Sequence, residues 1–343
     1  MRRVVATLAL ALALALALAG CTDSADPEPD DAESAEPLSW RSTGESPDAT
    51  VVVGRDWRAV APPNGRTALI SRDGSRAELA AGPGRRISQV LMSDSYAVVV
   101  ATDRRERRPA LGLVVQLADG STADLPGPRP APGGTWSLHG EELRYPTYGP
   151  KRAYCLAAVH LPSGESQLEH CAPRGEGFSQ VTTSDAGVAV LTFDDARPVS
   201  CRTLVTLEES GPVPVDGVAD CVGWDVVATD GGAVWSEVRD EKAVGSGTFV
   251  GTEDGTRTEL GPGATGSLVP CGDAVFFARG PQDGESARLL SWSGDPDGPD
   301  VVWSGPAGDT GFLAPPACAD DVLTLTYLGE SGDQQLWARV PSA

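Results

Sequence analysis

A short hairpin motif recurs along the chain, and it restricts the fold more than any other feature of the sequence. Its clearest copy is 252–260 (TEDGTRTEL), with close copies at 71–79 (SRDGSRAEL) and 117–125 (LADGSTADL) and a looser one at 161–168 (LPSGESQL). In each copy an Asp-Gly or Ser-Gly pair separates two short apolar or alternating segments, which is typical of the tight turn of a β-hairpin. A motif that returns in this way predicts a repeat protein.

The glycines of these turns give the length of the repeat. Together with two looser turns they are separated by 46, 44, 47, 44 and 43 residues, at Gly74, Gly120, Gly164, Gly211, Gly255 and Gly298. After residue 20 we find no long segment with apolar residues at helical spacing, which favours an all-β chain. A period near 45 residues in an all-β chain predicts a β-propeller whose blades have four antiparallel strands.

A second landmark has the same period. The apolar segments 96–100, 188–191, 275–277 and 322–325 each follow an acidic residue, at Asp94, Asp185, Asp273 and Asp321. Unbroken apolar runs are typical of strands buried on both faces, so we expect these to be the second strands of their blades. Trp292 and Trp337 are 45 residues apart and are expected to be core residues of equivalent third strands.

The same spacing predicts how the ring closes. A further turn glycine would fall near residue 343, so the last unit is expected to have three strands and to need another. The segment 37–41 (PLSWR) precedes the first unit and can supply that strand, which would remove open sheet edges. Six complete units and one composite unit give seven blades, with six or eight as alternatives. Over residues 38–343 the pattern resembles propeller repeats of the WD-repeat and TolB type, although the Trp-Asp dipeptide is missing and no subfamily is identified.

The N-terminus predicts export. Arg2 and Arg3 precede an Ala/Leu run over residues 4–19, which has the length of a signal-peptide core. The run ends in 18–21 (LAGC), which resembles the lipobox of bacterial lipoproteins. That resemblance implies a lipoprotein signal peptide over residues 1–20 and a lipid on Cys21, which would anchor the protein to the outer face of the cytoplasmic membrane. An ordinary secretory peptide with an incidental cysteine is the alternative.

An acidic, Pro-rich stretch follows the predicted lipid site. Residues 22–48 carry nine acidic residues against the single base Arg41 and almost no large apolar side chains. Charge repulsion and proline keep such a segment extended, so we expect residues 21–37 to be a disordered tether that continues irregularly to about residue 48. The propeller domain is then expected to occupy residues 38–343.

The remaining cysteines predict disulfides, because six is an even number and the chain is expected to be exported. Cys155 and Cys171 flank one hairpin turn almost symmetrically and are the first pair expected. Three others are expected at similar places in successive units, shortly before or at the start of the second strand, and two of these would join neighbouring blades. Six cysteines allow fifteen pairings; we favour Cys155 with Cys171, Cys271 with Cys318, and Cys201 with Cys221.

Searches for catalytic motifs identify no reaction. We find no Gly-x-Ser-x-Gly elbow, His-Glu-x-x-His pair, phosphate-binding loop or dinucleotide fingerprint. The three histidines lack metal-ligand spacing, and the acidic turn 295–300 (DPDGPD) lacks that of a calcium loop. A net charge of −21 disfavours a nucleic-acid partner. We therefore predict no catalytic residue, metal or cofactor.

One dense basic cluster stands out, and it is expected between the second and third strands of the second blade. It could contact anionic lipid head groups or a phosphate-bearing envelope polymer, or it could be a solvated loop. The cluster contains Arg104, Arg105, Arg107 and Arg108.

Two functions are compatible with these features. The leading hypothesis is a monomeric, lipid-anchored propeller that binds a protein, peptide or envelope polymer without catalysis, an inference from fold analogy. The alternative is an extracytoplasmic hydrolase or lyase acting on carbohydrate, with carboxylates in the propeller funnel. Two carboxyl groups about 5–10 Å apart in a central pocket, with raised pKa values, would favour the alternative.

Overall fold

Seven antiparallel sheets follow one another along the chain, and each is one blade of a β-propeller. The computed structural model describes residues 38–194 and 201–341. The predicted signal peptide, Cys21 and the tether up to residue 37 lie outside the described residues. The prediction of an all-β propeller with seven blades is confirmed.

The strands of blades 1 to 3 follow the closing strand β1 (Arg41–Ser42). Blade 1 contains β2 (Thr50–Val53), β3 (Arg58–Ala61), β4 (Thr67–Arg72) and β5 (Ser75–Ala80). Blade 2 contains β6 (Arg85–Met92), β7 (Tyr96–Asp103), β8 (Leu111–Gln116) and β9 (Ser121–Asp124). Blade 3 contains β10 (Ser137–His139), β11 (Glu142–Tyr148), β12 (Tyr154–His160) and β13 (Glu165–Cys171), with a single 3₁₀ turn at Pro150–Arg152.

Blades 4 to 6 repeat this plan, whereas in blade 7 two short strands both pair with the second strand and β1 is the fourth strand. Blade 4 contains β14 (Glu176–Ser184), β15 (Gly187–Asp194), β16 (Cys201–Glu208) and β17 (Gly211–Pro214). Blade 5 contains β18 (Gly223–Thr229), β19 (Gly232–Glu237), β20 (Gly247–Glu253) and β21 (Thr256–Gly263), with a 3₁₀ turn at Glu241–Ala243. Blade 6 contains β22 (Val269–Cys271), β23 (Ala274–Arg279), β24 (Arg288–Trp292) and β25 (Asp300–Ser304), and blade 7 contains β26 (Phe312–Leu313), β27 (Ala317–Ala319), β28 (Val322–Leu328) and β29 (Gln334–Arg339).

Five of the six repeated glycines lie in the turn between the third and fourth strands, and Gly211 is the first residue after that turn. Their φ angles are positive, from 70° at Gly164 to 116° at Gly211. A side chain with a Cβ rarely adopts this conformation, which explains why glycine recurs at this turn while the flanking residues vary.

The second strands are buried, as their apolar sequences predict. All eight residues of β7 are buried, and β15, β23 and β28 have buried central residues. These strands pack between the two neighbouring blades, which keeps their central residues away from water.

The hydrophobic core is divided among the blade interfaces. Seven clusters of buried apolar residues fill the seven spaces between adjacent blades. Trp292 lies in the cluster between blades 5 and 6, and Trp337 packs against the cluster between blades 7 and 1. Every cluster belongs to residues 38–340, so the propeller has a complete core of its own and we expect it to fold without the preceding residues.

The N-terminal segment closes the ring, as predicted, although the strand is shorter than the expected 37–41. In β1, Arg41 pairs with Trp337 and Ser42 pairs with Leu336 of β29. Just before it, Trp40 Nε1 donates a hydrogen bond to the Val302 carbonyl of blade 6, 3.0 Å away. The closing segment therefore binds both the last blade and the one before it.

The structure contains three disulfides, and they join the expected pairs. Cys155–Cys171 crosses one hairpin of blade 3, Cys271–Cys318 joins blades 6 and 7, and Cys201–Cys221 joins blade 4 to the segment entering blade 5. The expected equivalence of Cys221 with Cys271 and Cys318 is wrong. Cys271 and Cys318 lie in first strands, whereas Cys221 precedes the first strand of its blade and has a positive φ of 63°.

Within the described residues, no helix is long and apolar enough to span a membrane.

Candidate functional site

The connections between strands divide the propeller into two faces of different chemistry. Successive strands of a blade run in opposite directions, so the turns after the first and third strands share one face, which we call the turn face. The loops after the second strands and the connections between blades share the other, the loop face.

A central channel opens on the turn face. It has a volume of about 510 Å³ and is surrounded mainly by first strands. Its wall is a mixture of neutral polar and apolar groups, because the first strands place amide, hydroxyl and apolar side chains toward the axis. Among the lining residues are Gln89, Leu91, Gln180, Thr182, Ser184 and Val269.

Carboxylates are distributed in a ring around the turn face, and Asp185, Asp273, Asp320 and Asp321 line the channel itself. The turn between the first and second strands carries at least one acidic residue in all seven blades. Within these seven turns, all of which the structure describes, Arg55 is the one basic residue. The acids are Asp56, Asp94, Glu141, Asp185, Asp230, Asp273, Asp320 and Asp321.

Two of these carboxyl groups share a hydrogen bond. Asp320 is half-buried and has a positive φ of 57°, and its Oδ1 accepts the backbone N–H of Asp94 at 3.0 Å. Partial burial, together with the hydrogen bond and charge of the Asp94 side chain, raises the pKa of Asp320 to about 7. At neutral pH the Asp320 carboxyl is therefore protonated in about half of the molecules.

Arg55 neutralises part of the ring. Its Nε lies 3.0 Å from Asp321 Oδ1, and its Nη1 lies 3.4 Å from Asp94 Oδ2. The hydrogen bond with Asp321, with the nearby Asp94 charge, raises the pKa of Arg55. One guanidinium thus bridges blades 7, 1 and 2 while remaining half exposed at the channel mouth.

Two histidines lie on the turn face beside the acids. His139 Nε2 lies 3.1 Å from Asp185 Oδ1, which links blades 3 and 4 at the channel. His160 is farther from the axis, with Nε2 3.5 Å from Glu141 Oε2. Both pairs are solvent-exposed, so each contributes little to stability and its geometry can adapt to a ligand.

A second cavity of about 380 Å³ adjoins the ring between blades 1 and 2. Arg55 and Asp320 line both this cavity and the channel, and Asp94 lines this cavity. On its outer side Arg72 lies over the ring of Trp57, with 4.7 Å from Cζ to the ring centroid. The carboxyl pair is therefore reached from two connected concave surfaces.

Behind the channel wall, Asp225 holds three blades together. It is fully buried in β18 of blade 5. Its carboxylate accepts hydrogen bonds from Gln180 Nε2 of blade 4 (2.9 Å), Ser236 Oγ of blade 5 (2.9 Å) and the Gly266 N–H preceding blade 6 (2.8 Å). Burial raises its pKa despite these donors. Asp225 has no access to solvent, so it positions the wall and does not meet a ligand.

The predicted arginine cluster lies on the loop face, away from this ring. Arg104, Arg105, Arg107 and Arg108 are exposed in the loop between β7 and β8, as the sequence indicated. The expectation that they contact an anionic surface stays a prediction. The structure therefore places all four acids that mark the second strands, Asp94, Asp185, Asp273 and Asp321, in turns of the turn face, away from the arginines.

Sequence reasoning missed Arg55 and the carboxyl pair. The sequence does contain a signal for this site, which is an acidic residue in every turn between a first and a second strand. These acids can be recognised as neighbours only when the strand order is known. Among residues 38–194 and 201–341, no group of three or more His, Cys, Asp or Glu residues is placed to hold a metal ion.

Comparisons with solved structures agree on the fold. The propeller domain of the Trilobed protease from Pyrococcus furiosus aligns with a TM-score of 0.59 and 10% identity, covering 84% of this chain and 95% of that one. A prolyl endopeptidase aligns with a TM-score of 0.53 and 13% identity over 83% of this chain and 46% of that one. Oligogalacturonate lyase from Vibrio parahaemolyticus aligns with a TM-score of 0.50 and 11% identity, over 89% and 97%.

At such low identities the comparisons show a shared propeller fold alone. The Pyrococcus propeller is described as having an open velcro topology, whereas here β1 pairs with β29. No protein-family profile matches the chain, and no curated protein matches it.

Proposed function

We propose that this chain is a monomeric, lipid-anchored extracytoplasmic binding protein that takes a positively charged segment of a protein or peptide at the mouth of its central channel. The observation that carries the proposal is the ring of acids contributed by all seven blades, against which Arg55 is the one base in the same turns. A ring of one charge around a concave opening concentrates ligands of the opposite charge and orients them.

The channel below the ring supports a segment rather than a small ion. Its volume of about 510 Å³ can hold several side chains, and its wall offers both apolar surface and neutral hydrogen-bonding groups. A cationic side chain would then pair with the ring while the adjoining residues enter the channel.

A charged probe peptide tests this proposal. Hexalysine carrying a fluorophore should bind at low salt and be released as salt is raised, and the variant Asp94→Asn/Asp320→Asn should bind it less tightly. The matched control is Asp254→Asn/Asp297→Asn, which removes two exposed acids from outer turns of the same face. Equal affinity in both double variants would show that binding follows net charge and not the channel mouth.

The anchor is tested separately. Three disulfides suggest an oxidising, extracytoplasmic environment, which is compatible with lipidation of Cys21 at the outer face of the cytoplasmic membrane. In the producing bacterium Cys21→Ser should move the protein from the membrane fraction to the soluble one. Full retention of that variant in the membrane fraction would refute the anchor and leave the channel proposal intact.

One observation favours a catalytic alternative, in which the protein is a hydrolase or lyase of envelope carbohydrate. A carboxyl group with a pKa of about 7, such as Asp320, can give or take a proton at neutral pH. However, Asp320 and Asp94 are hydrogen-bonded to each other, which is closer than the separation of about 5–9.5 Å between the paired carboxyls of glycosidases. This contact resembles a shared-proton pair more than an acid and nucleophile on opposite sides of a sugar.

The alternative has its own test. Purified protein would be incubated with envelope polysaccharides, and reducing ends or unsaturated products would be measured across pH. A rate that depends on a group titrating near pH 7 and is abolished in Asp320→Asn would establish catalysis. Activity that survives in Asp320→Asn would come from another site or a contaminant.

A further inference from the structure

We propose that the loop face of blades 2 and 3 is a second interaction surface, which docks on a membrane of anionic phospholipid. This basic surface consists of Arg104, Arg105, Arg107, Arg108, Lys151 and Arg152. It is separate from the channel mouth, and the proposal does not depend on the ligand of the turn face.

The arginine loop is held in a defined shape. Buried Asp103 accepts the backbone N–H groups of Arg105 (3.0 Å) and Arg108 (2.8 Å), and these bonds lower the pKa of Asp103. The Asp103 carboxylate is therefore engaged in hydrogen bonds within the loop. Arg108 also donates to the Gly84 carbonyl at 3.1 Å, whereas Arg104 and Arg107 extend into solvent. The loop thus presents cations from a fixed base.

Positive charge accumulates around this base. Arg85 donates to the Pro109 carbonyl at 2.6 Å, directly under the loop. Burial, followed by the charges of Arg108 and then of Arg129, lowers the pKa of Arg85. Within the segments 104–110 and 149–153, Glu106 is the one acidic residue. The surface therefore carries a clear excess of positive charge on a protein whose net charge is −21.

The two basic loops form one continuous surface. The connection between blades 2 and 3 lies between them: a Cβ on Gly133 would be 3.4 Å from Glu106 Oε2, and one on Gly134 would be 2.8 Å from Tyr154 Oη. The Tyr154 ring is 6.1 Å from that of Tyr148, and Arg152 Cζ lies 5.8 Å from the Tyr148 centroid. Contacts thus lead without a break from the arginine loop to Arg152.

The backbone of both loops is in an uncommon conformation. Glu106, Lys151 and Arg152 have positive φ angles of 50°, 56° and 63°. Residues other than glycine adopt this region at a cost of about 1 kcal/mol or more. The two neighbouring loops therefore adopt this unfavourable conformation at Lys151 and Arg152, which are themselves cationic, and at Glu106, which lies among the arginines.

Exposed apolar side chains favour a lipid surface over a soluble polymer. Tyr148 is 46% exposed and Leu111 is 40% exposed, and both lie at the loop-face ends of their strands. Tyrosine is enriched where membranes meet water, because its ring contacts acyl chains while its hydroxyl remains hydrated. Cations around an exposed tyrosine and leucine match a phospholipid bilayer, whereas a phosphate-bearing polymer would need the cations alone.

Vesicle flotation tests the proposal with residues 22–343, which lack the predicted lipid site but contain the complete propeller core. The protein should float with vesicles of phosphatidylcholine and phosphatidylglycerol at low salt, and not with phosphatidylcholine alone. Arg104→Gln/Arg107→Gln and Lys151→Gln/Arg152→Gln should each weaken this binding about 10- to 30-fold. Tyr148→Ser should weaken it without changing its dependence on salt.

The matched control is Arg76→Gln/Arg257→Gln, which neutralises two exposed arginines on fourth strands. It should bind as wild type, and thermal unfolding should show that all variants are folded. Equal losses in the control and test variants would overturn the proposal, as would a wild-type protein that does not float. Binding of soluble polyphosphate without flotation would also overturn it, in favour of an envelope polymer.

Discussion

Replacing Asp225 tests whether the blades are held together by a buried acceptor or by a buried charge. In Asp225→Ala, the donors of Gln180, Ser236 and Gly266 lose their acceptor in a site without solvent access. Each unsatisfied buried donor costs about 1–3 kcal/mol, and removing a poorly solvated carboxylate offsets part of the loss. We expect the free energy of unfolding to fall by about 2–4 kcal/mol.

Asp225→Asn is the matched variant, because it removes the charge and keeps the shape. Asp225 Oδ2 accepts from Ser236 and Gly266, and Oδ1 accepts from Gln180 alone. An asparagine oxygen can take the first two bonds, and its amide can donate to Gln180 once that side chain turns its oxygen inward. We therefore expect a change of less than about 1 kcal/mol.

The dependence on pH separates the two causes further. Burial raises the pKa of Asp225 in the folded protein above its unfolded value of about 3.9. The stability that comes from protonating Asp225 is thus present below about pH 4 and is lost as pH rises through the folded pKa. Wild type should therefore lose stability relative to Asp225→Asn as pH rises above about 4.

Urea unfolding followed by tryptophan fluorescence, with the disulfides intact, measures all three proteins. If Asp225→Ala proved as stable as Asp225→Asn, the hydrogen-bonding argument would be refuted. Equal large losses in both would show that the negative charge itself stabilises the blade contacts. A constant difference between wild type and Asp225→Asn across this range would refute the raised pKa.

Three further predictions concern closure and acid stability. Removing the disulfide between blades 6 and 7 by Cys271→Ser/Cys318→Ser should lower the free energy of unfolding by about 1 kcal/mol more than removing the one within blade 3, because it closes a longer loop. Urea unfolding of the two variants would show this order. Trp40→Ala should cost about 2 kcal/mol and expose the edge of β29 to amide exchange, whereas unchanged exchange there would contradict closure by the N-terminal segment. Hydrogen bonds from Ser331 and other donors lower the pKa of Asp309, so its stabilising effect should be lost as pH falls below about 4, and Asp309→Asn should unfold with a weaker pH dependence there.

The sequence predicted the repeat, the number of blades and the closing segment because each depends on local patterns. A turn such as Asp254-Gly255 needs a positive φ wherever it occurs, so glycine recurs at the period of the blade. The unbroken apolar run at 96–100 indicates a strand that is buried on both faces. Cys155 and Cys171 are placed symmetrically about one hairpin turn, so they become neighbours when the hairpin forms. These features could be read without knowing any contact between blades.

The tertiary structure alone decided the site. Asp94 and Asp320 are separated by most of the chain, and they meet because the ring places blade 7 within reach of blade 2 through blade 1. Arg55 and the arginines at 104–108 both lie between strands, yet the direction of the strands sends them to opposite faces. The sequence contains 48 acidic residues but does not show which of them are neighbours. The pKa of Asp320 is raised because the fold partly buries its carboxyl group beside that of Asp94.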